Sequence, residues 1–434
     1  MPSGASVSPT RVAWRLPEAR RGNGPASGPE PRGEPDYPFT VLTPAADLAA
    51  WDPLARDEDP FGSYRMLRDT APVYRLVARD LWAIARFDDV QDAIRDWRTY
   101  SSAGGVGLDD VQVLFEPGDG DFLEHDPPRH DALRNLIRTA FSPGELRRRV
   151  EPTILATAES LIASLRYRGG GDLVADVALP LPHTVVSTFV GFPGADHARL
   201  AAWVIGMHHR EPGATALPPE ALAARDEFRA YVDHYIELRT RDPEDDLLSL
   251  MLTAVRAGEL SLDDIKAMCT LLYFAGTGTT TQLIAETFRL LAEHTEQRQR
   301  LADSPVGIPA AIEEVLRYEP PVVMQARVTT RAVSLLGQEI PEGARVLLLL
   351  GSANRDDRRW ADPDTFDTER APQRHLAFGD GIHHCIGAPL ARLESRIALE
   401  TLLSVMPRYS VSGALRRSWT PHEHPLTSLP ISVD

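Results

Sequence analysis

The sequence predicts a mainly α-helical chain with small β-sheets, on three observations. Residues 151–258 repeat apolar positions at helical spacing, with short breaks at Gly169-Gly170-Gly171 and Asp242-Pro243-Glu244. A longer helical stretch starts after Leu260: Ser261 is placed to cap it, Asp263 and Asp264 fall in its first turn, and it runs to about Glu293. β-Patterned sequence is short by comparison. Residues 73–87 alternate as a small hairpin, and residues 328–350 read as short strands with Ile340-Pro341-Glu342-Gly343 as a turn.

In chain order, residues 1–36 are rich in Arg, Gly, Pro and Ser without a signal-peptide apolar core, which predicts a disordered tail. Residues 37–434 then read as one domain, with no internal repeat or linker. Pro60-Phe61 turns into a short helix, and residues 88–97 form a short amphipathic one. Residues 101–124 read as a loop. Its Ala103-Gly104-Gly105-Val106-Gly107 is no nucleotide fingerprint, because no third glycine follows at the needed spacing. Pro127-Pro128 sets the start of a helix on which His130 and Arg134 share a face. Asp245-Asp246-Leu247-Leu248 starts another, with the acids in its first turn. Glu314 and Arg317 also share a helical face, just before Tyr318-Glu319-Pro320-Pro321. Such i, i+3 and i, i+4 pairs are most often solvated surface features of little energetic weight.

Composition sets the setting. The formal net charge of −16 disfavours nucleic acid as a partner. Two cysteines, Cys269 and Cys385, argue against a disulfide framework and fit a reducing cytoplasm. No apolar run is long enough to span a bilayer.

The chemistry concentrates at Phe378-Gly379-Asp380-Gly381-Ile382-His383-His384-Cys385-Ile386-Gly387, which runs into an apolar helical segment, residues 388–400. A lone Cys among glycines is usually a small buried residue. A zinc site is excluded by spacing, since there is no second nearby Cys and no CxxC. The loop is instead built to present one thiolate. Glycines bring the backbone close to a flat cofactor, amides reach the sulfur, and the following helix N-terminus is expected to lower the thiol pKa. A haem iron held this way gains the electron push that favours O–O cleavage.

The middle of the long helix, Ala275-Gly276-Thr277-Gly278-Thr279-Thr280-Thr281, is poor in helix propensity. Small residues there let a helix lie flat against a macrocycle. Thr279 stands four residues after Ala275, so its hydroxyl can take that carbonyl and open a local groove. No lysine follows the glycines, which rejects a P-loop.

Together these motifs resemble the cytochrome P-450 family, in its soluble bacterial type, from about Asp52 to the C-terminus. The resemblance implies a haem b held by Cys385 as axial ligand on a mainly α fold with a long central helix over the haem. Phe378, Gly379 and Gly387 shape the loop. His130, Arg134, Arg327 and His383 hold the propionates, and Ala275 and Gly276 lie over the ring. Gly278, Thr279 and Thr280 become the catalytic positions, and Arg370 completes a structural triad with Glu314 and Arg317. Residues 101–124 become a lid, residues 322–327 enter the pocket, and Pro425-Leu426-Thr427 brings a second loop to it.

The implied activity is monooxygenation: O2 and two electrons from NAD(P)H, through a ferredoxin and its reductase, hydroxylate or O-dealkylate a small aromatic, terpenoid or natural-product substrate. Arg138, Arg147, Arg148 and Arg149 would form the basic patch where an acidic ferredoxin docks. A monomeric cytoplasmic enzyme is expected. The sequence departs from the family at Gly278, where an acid normally precedes the threonine and relays protons. Three explanations are open: water enters the groove that glycine opens, the substrate supplies a polar group, or the chemistry is oxidative coupling or peroxide-driven oxidation. Water relay is the leading expectation, because a threonine-rich groove offers it partners. A haem protein that senses ligand without turnover is the alternative of a different class.

Overall fold

The computed structural model describes residues 51–54, 59–108, 121–208, 216–418 and 420–433, so the expected tail and residues 109–120 of the lid lie outside the described residues. The chain runs α1 (Phe61–Thr70), β1 (Val73–Leu76), β2 (Leu81–Ile84), α2 (Phe87–Arg95), β3 (Tyr100–Ser101), α3 (Arg129–Arg138), α4 (Pro143–Arg149), α5 (Glu151–Tyr167), β4 (Gly170–Asp172) and α6 (Pro180–Val190). It continues α7 (His197–His208), α8 (Pro219–Arg241), α9 (Leu247–Arg256), α10 (Leu262–Glu293), α11 (Thr295–Asp303) and α12 (Ile308–Tyr318). It ends β5 (Gln325–Thr329), β6 (Val333–Leu335), β7 (Gln338–Ile340), β8 (Arg345–Leu348), α13 (Leu350–Ala353), α14 (Ala388–Val405), β9 (Tyr409–Val411), β10 (Arg416–Arg417), β11 (Leu426–Ser428) and β12 (Pro430–Val433).

α10 is the axis. Its start is fixed by a capping box: Ser261 Oγ accepts from the Asp264 amide at 3.0 Å, and Asp264 accepts from the Ser261 amide at 2.8 Å. At about 1.5 Å rise per residue it is roughly 48 Å long. Helices α6, α7, α8, α9, α12 and α14 all pack on it, and its buried positions run through the largest apolar cluster. That burial compensates the poor propensity of its middle. Thr277, Thr279 and Thr280 each donate a hydroxyl to the carbonyl four residues back, at 2.8, 2.7 and 3.0 Å. The helix nonetheless runs unbroken through all three.

The main sheet has the order β1-β2-β8-β5-β3. The expected hairpin pairs Val73 with Ile84 through Leu76 with Leu81, β2 joins β8 in parallel, and β5 lies antiparallel to β8. Gly343, at φ 77°, turns the chain between β7 and β8 as expected.

Three local expectations are corrected. The glycine break at 169–171 contributes to a strand, β4, which pairs with β12. Residues 100–101 pair with β5 instead of opening a loop. Asp245 and Asp246 precede α9 instead of lying in its first turn: Asp246 is the cap, accepting from the Ser249 amide at 2.7 Å.

Candidate active site

Cys385 sits where the loop enters α14, with its amide donating to the Phe378 carbonyl at 2.8 Å. Gly379 and Gly381 take φ of 65° and 63°. At Gly381 a Cβ would also come within 3.2 Å of the Ile94 carbonyl oxygen, so glycine is required by conformation and by space. Asp380 braces the loop: it accepts from Gln91 and Arg95 at 3.0 Å each and pairs with Arg374.

The Gly387 and Ala388 amides donate to the cysteine sulfur, as expected of the helix entry. The net effect on the thiol is the reverse of expectation. Burial pushes it up, and the two amides with the positive charges of Arg134 and Arg392 only partly oppose this. A metal ion bound at the sulfur would favour its thiolate form. The sulfur is open to a cavity while lying deep in the protein. Cys269, by contrast, is packed into the core and takes no part.

That cavity lies between α10 and the cysteine loop. Ala275, Gly276, Thr279 and Thr280 line one side; Phe378, Gly379, His383, Cys385 and Gly387 line the other. The rest is largely apolar, including Phe122, Phe141, Phe189 and Leu271. Val322, Met324 and Gln325 reach it as expected. Pro425-Leu426-Thr427 does not. Leu426 is committed to β11 and the core, and Thr420, His422 and Glu423 supply that part of the wall.

At one end are donors that lack acceptors. His130 and His383 stand edge to face, ring centroids 4.6 Å apart, and the Nε2 of each is buried with no hydrogen-bond partner among the described residues. Burial, with Arg327, His130 and Arg134 nearby, pushes His383 down to about 2. Arg327 is fully buried, among the described residues its side chain bonds the Ala326 carbonyl and the Gln325 amide oxygen, and it is lowered to about 10 by desolvation against the pull of Asp126. Arg134 donates to the His384 carbonyl and lines the cavity. Buried donors without acceptors are costly. Two carboxylates of a flat cofactor would satisfy them, so the residues present fit a haem.

The triad forms. Glu314 accepts from Arg317 at 2.7 and 2.8 Å and from Arg370 at 3.1 Å. At Gly278 a Cβ would meet His208 Nε2 at 3.5 Å, an ordinary contact distance, so an imidazole from α7 lies beside that position. The basic patch is partly spent, because Arg148 and Arg149 pair with Glu145 and with Asp245. Arg138 and Arg147 form no ion pair among the described residues. His208 is the residue sequence reasoning missed; no spacing signal ties it to α10.

A family model described as Cytochrome P-450 matches residues 308–413. The chain is similar to the cytochrome P-450 130 of Mycobacterium tuberculosis, 36% identical over 82% of this chain and 90% of that protein. It is also similar to the erythromycin C-12 hydroxylase of Saccharopolyspora erythraea, 37% identical over 80% of this chain and 86% of that one. Among solved structures it resembles the bacillaene polyketide synthase cytochrome P-450 PksS of Bacillus subtilis 168, with a TM-score of 0.80 and 31% identity, covering 88% of this chain and 100% of that one.

Proposed function

The chain belongs to the cytochrome P-450 family and is a haem b monooxygenase, and from that premise we propose that it hydroxylates or O-dealkylates a bulky, largely apolar natural product. The observation that carries the reading is the apolar cavity lying between Thr279 and the Cys385 sulfur. The relative named as an erythromycin hydroxylase and the neighbour named for a polyketide synthase support the substrate class.

When bound, haem supplies the dioxygen-activating chemistry, with the thiolate of Cys385 as the ligand that favours O–O cleavage. The chain does the rest. His130, Arg134, Arg327 and His383 bind the carboxylates; the Gly387 and Ala388 amides stabilise charge on the sulfur. Ala275 and Gly276 leave room for a flat ring under α10, and Thr279 holds a proton at its hydroxyl. Glu314, Arg317 and Arg370 fix the scaffold. Electrons come from NAD(P)H through a ferredoxin and its reductase, with Arg138 and Arg147 as the cations open to an acidic partner. Residues 37–434 act as one monomeric haem domain in the cytoplasm.

The test is a spin-state titration. Natural products that convert the haem from low to high spin are fed with NADPH, a surrogate ferredoxin and its reductase under isotope-labelled dioxygen. One labelled oxygen atom in the product is expected. Reductant consumption with no labelled product from any such ligand would overturn the reading.

A further inference from the structure

We propose that His208 is the proton-relay residue of this site, handing protons from water to the Thr279 side of the cavity. The assignment rests on the monooxygenase reading above. It starts from stoichiometry: RH + O2 + 2 e− + 2 H+ gives ROH + H2O. The electrons come from NAD(P)H through the redox partner, and both protons come from water. They must cross a cavity whose α10 wall carries apolar side chains, Gly276, Thr279 and Thr280, none of which titrates near neutral pH. The Thr279 hydroxyl is engaged with the Ala275 carbonyl at 2.7 Å and needs a donor behind it.

His208 is built into that position. It is the last residue of α7 and lines the cavity. Its ring stacks flat on Phe274, centroids 3.9 Å apart and planes 5° from parallel. Nδ1 lies 2.8 Å from the Val204 carbonyl. A carbonyl only accepts, so Nδ1 carries the proton and Nε2 is the basic nitrogen. Nε2 in turn stands 3.5 Å from where Gly278 would carry a Cβ, one residue before Thr279. The imidazole therefore lies against α10 at Gly278, at ordinary contact distance. Nε2 takes a proton from water, passes one on toward the Thr279 hydroxyl, and returns neutral, while Nδ1 keeps its bond to Val204.

The other titratable groups on the cavity wall do not share this place. Arg134, His383 and Cys385 belong to the cysteine side. Glu124 accepts from the Val106 amide, His422 from the Leu108 amide, and Glu423 bonds Thr420 through its backbone, all on segments outside α7 and α10. The imidazole neighbour His183, on α6, is held neutral by burial.

The experiment compares wild type, His208→Phe and the double variant His208→Ala with Gly278→Asp, each as the haem-loaded enzyme with a spin-shifting substrate. Phenylalanine keeps the stack and removes the relay. With NADPH and redox partners, product formed per NADPH should fall about tenfold or more in His208→Phe. With iodosylbenzene, which delivers an oxygen atom without protons or electrons, its rate should stay within about twofold of wild type. The double variant places a carboxylate in the vacated space and should regain coupling. Independently of turnover, the carbon monoxide stretching band of the reduced protein should shift in His208→Phe, because a polar group beside the ligand site has gone. Equal losses with both oxidants, no loss with either, or an unmoved band would overturn the assignment while the monooxygenase reading stands. A wild-type protein silent with both oxidants would overturn both.

Discussion

Glu314 grips Arg317 with both carboxylate oxygens, at 2.7 and 2.8 Å, and both side chains are almost completely buried. The remaining donors are used up as well. Arg317 also bonds the carbonyls of Asn354, Pro363 and Thr365, and Arg370 those of Ala361, Asp362 and Thr365. The pair therefore ties α12 to the whole 354–370 segment that leads toward the cysteine loop. A fully satisfied polar network of this kind specifies one arrangement of its chain segments.

Removing the anion should be the most damaging single change at this network. Glu314→Ala leaves a buried guanidinium uncompensated, at a cost of about 3–5 kcal/mol. Arg370→Ala should cost less, since Arg370 is more exposed than Arg317, 14% against 1%, and its loss leaves the Glu314–Arg317 pair intact. Urea midpoints of the haem-loaded proteins test the order. An Arg370→Ala protein as unstable as Glu314→Ala would contradict it.

Cys385→Ser removes the only thiol on the cavity wall. The reduced carbon monoxide complex should lose the red-shifted band that a thiolate ligand gives. Its persistence would show that another group ligates the iron.

How much of this was legible in the sequence follows from the range of each interaction. The bounds of α10 were readable because Ser261 and Asp264 cap it locally. The bond from Thr279 to Ala275 was readable because it spans one helical turn. The triad and the cysteine loop were readable through the resemblance to the cytochrome P-450 family, since a Glu and an Arg three apart are by themselves an ordinary helix-surface pair. What was not readable depends on elements far apart in the chain. His208 reaches Gly278 only because α7 packs across α10. Asp245 neutralises Arg148 and Arg149 only because the turn before α9 meets α4. Tyr100 and Ser101 are a strand only because β5 lies beside them.

Stability should fall with acid through buried histidine. Burial first, then the charges of His208 and His197, takes His183 down to about 3 from an ordinary 6.5. The folded state refuses a proton that the unfolded chain accepts. Its contribution is therefore complete above pH about 6.5 and is lost as pH falls toward about 3. Within that window one such group steepens the dependence by about 1.4 kcal/mol per pH unit. Urea unfolding across the window should give a shallower slope in His183→Gln than in wild type. Parallel slopes would mean that His183 titrates normally.

The cradle gives the last expectation, because its members differ in kind. Arg327 is a buried cation whose side-chain bonds among the described residues, to Ala326 and Gln325, are to neutral oxygens. Against a haem carboxylate it makes a charge-assisted bond, worth about 1.5–3 kcal/mol. His383, pushed down to about 2, is a neutral donor and contributes one ordinary bond of about 1 kcal/mol. Haem transfer to apomyoglobin should therefore speed up about tenfold or more in Arg327→Met, and only a few-fold in His383→Ala. The comparison separates charge pairing from simple packing, since Arg327 and the Nε2 atom of His383 are both buried and both substitutions remove polar atoms. If the two variants lose haem at the same rate, the charge on Arg327 faces no carboxylate, and the fit of the four donors to a dianionic cofactor fails at its strongest member.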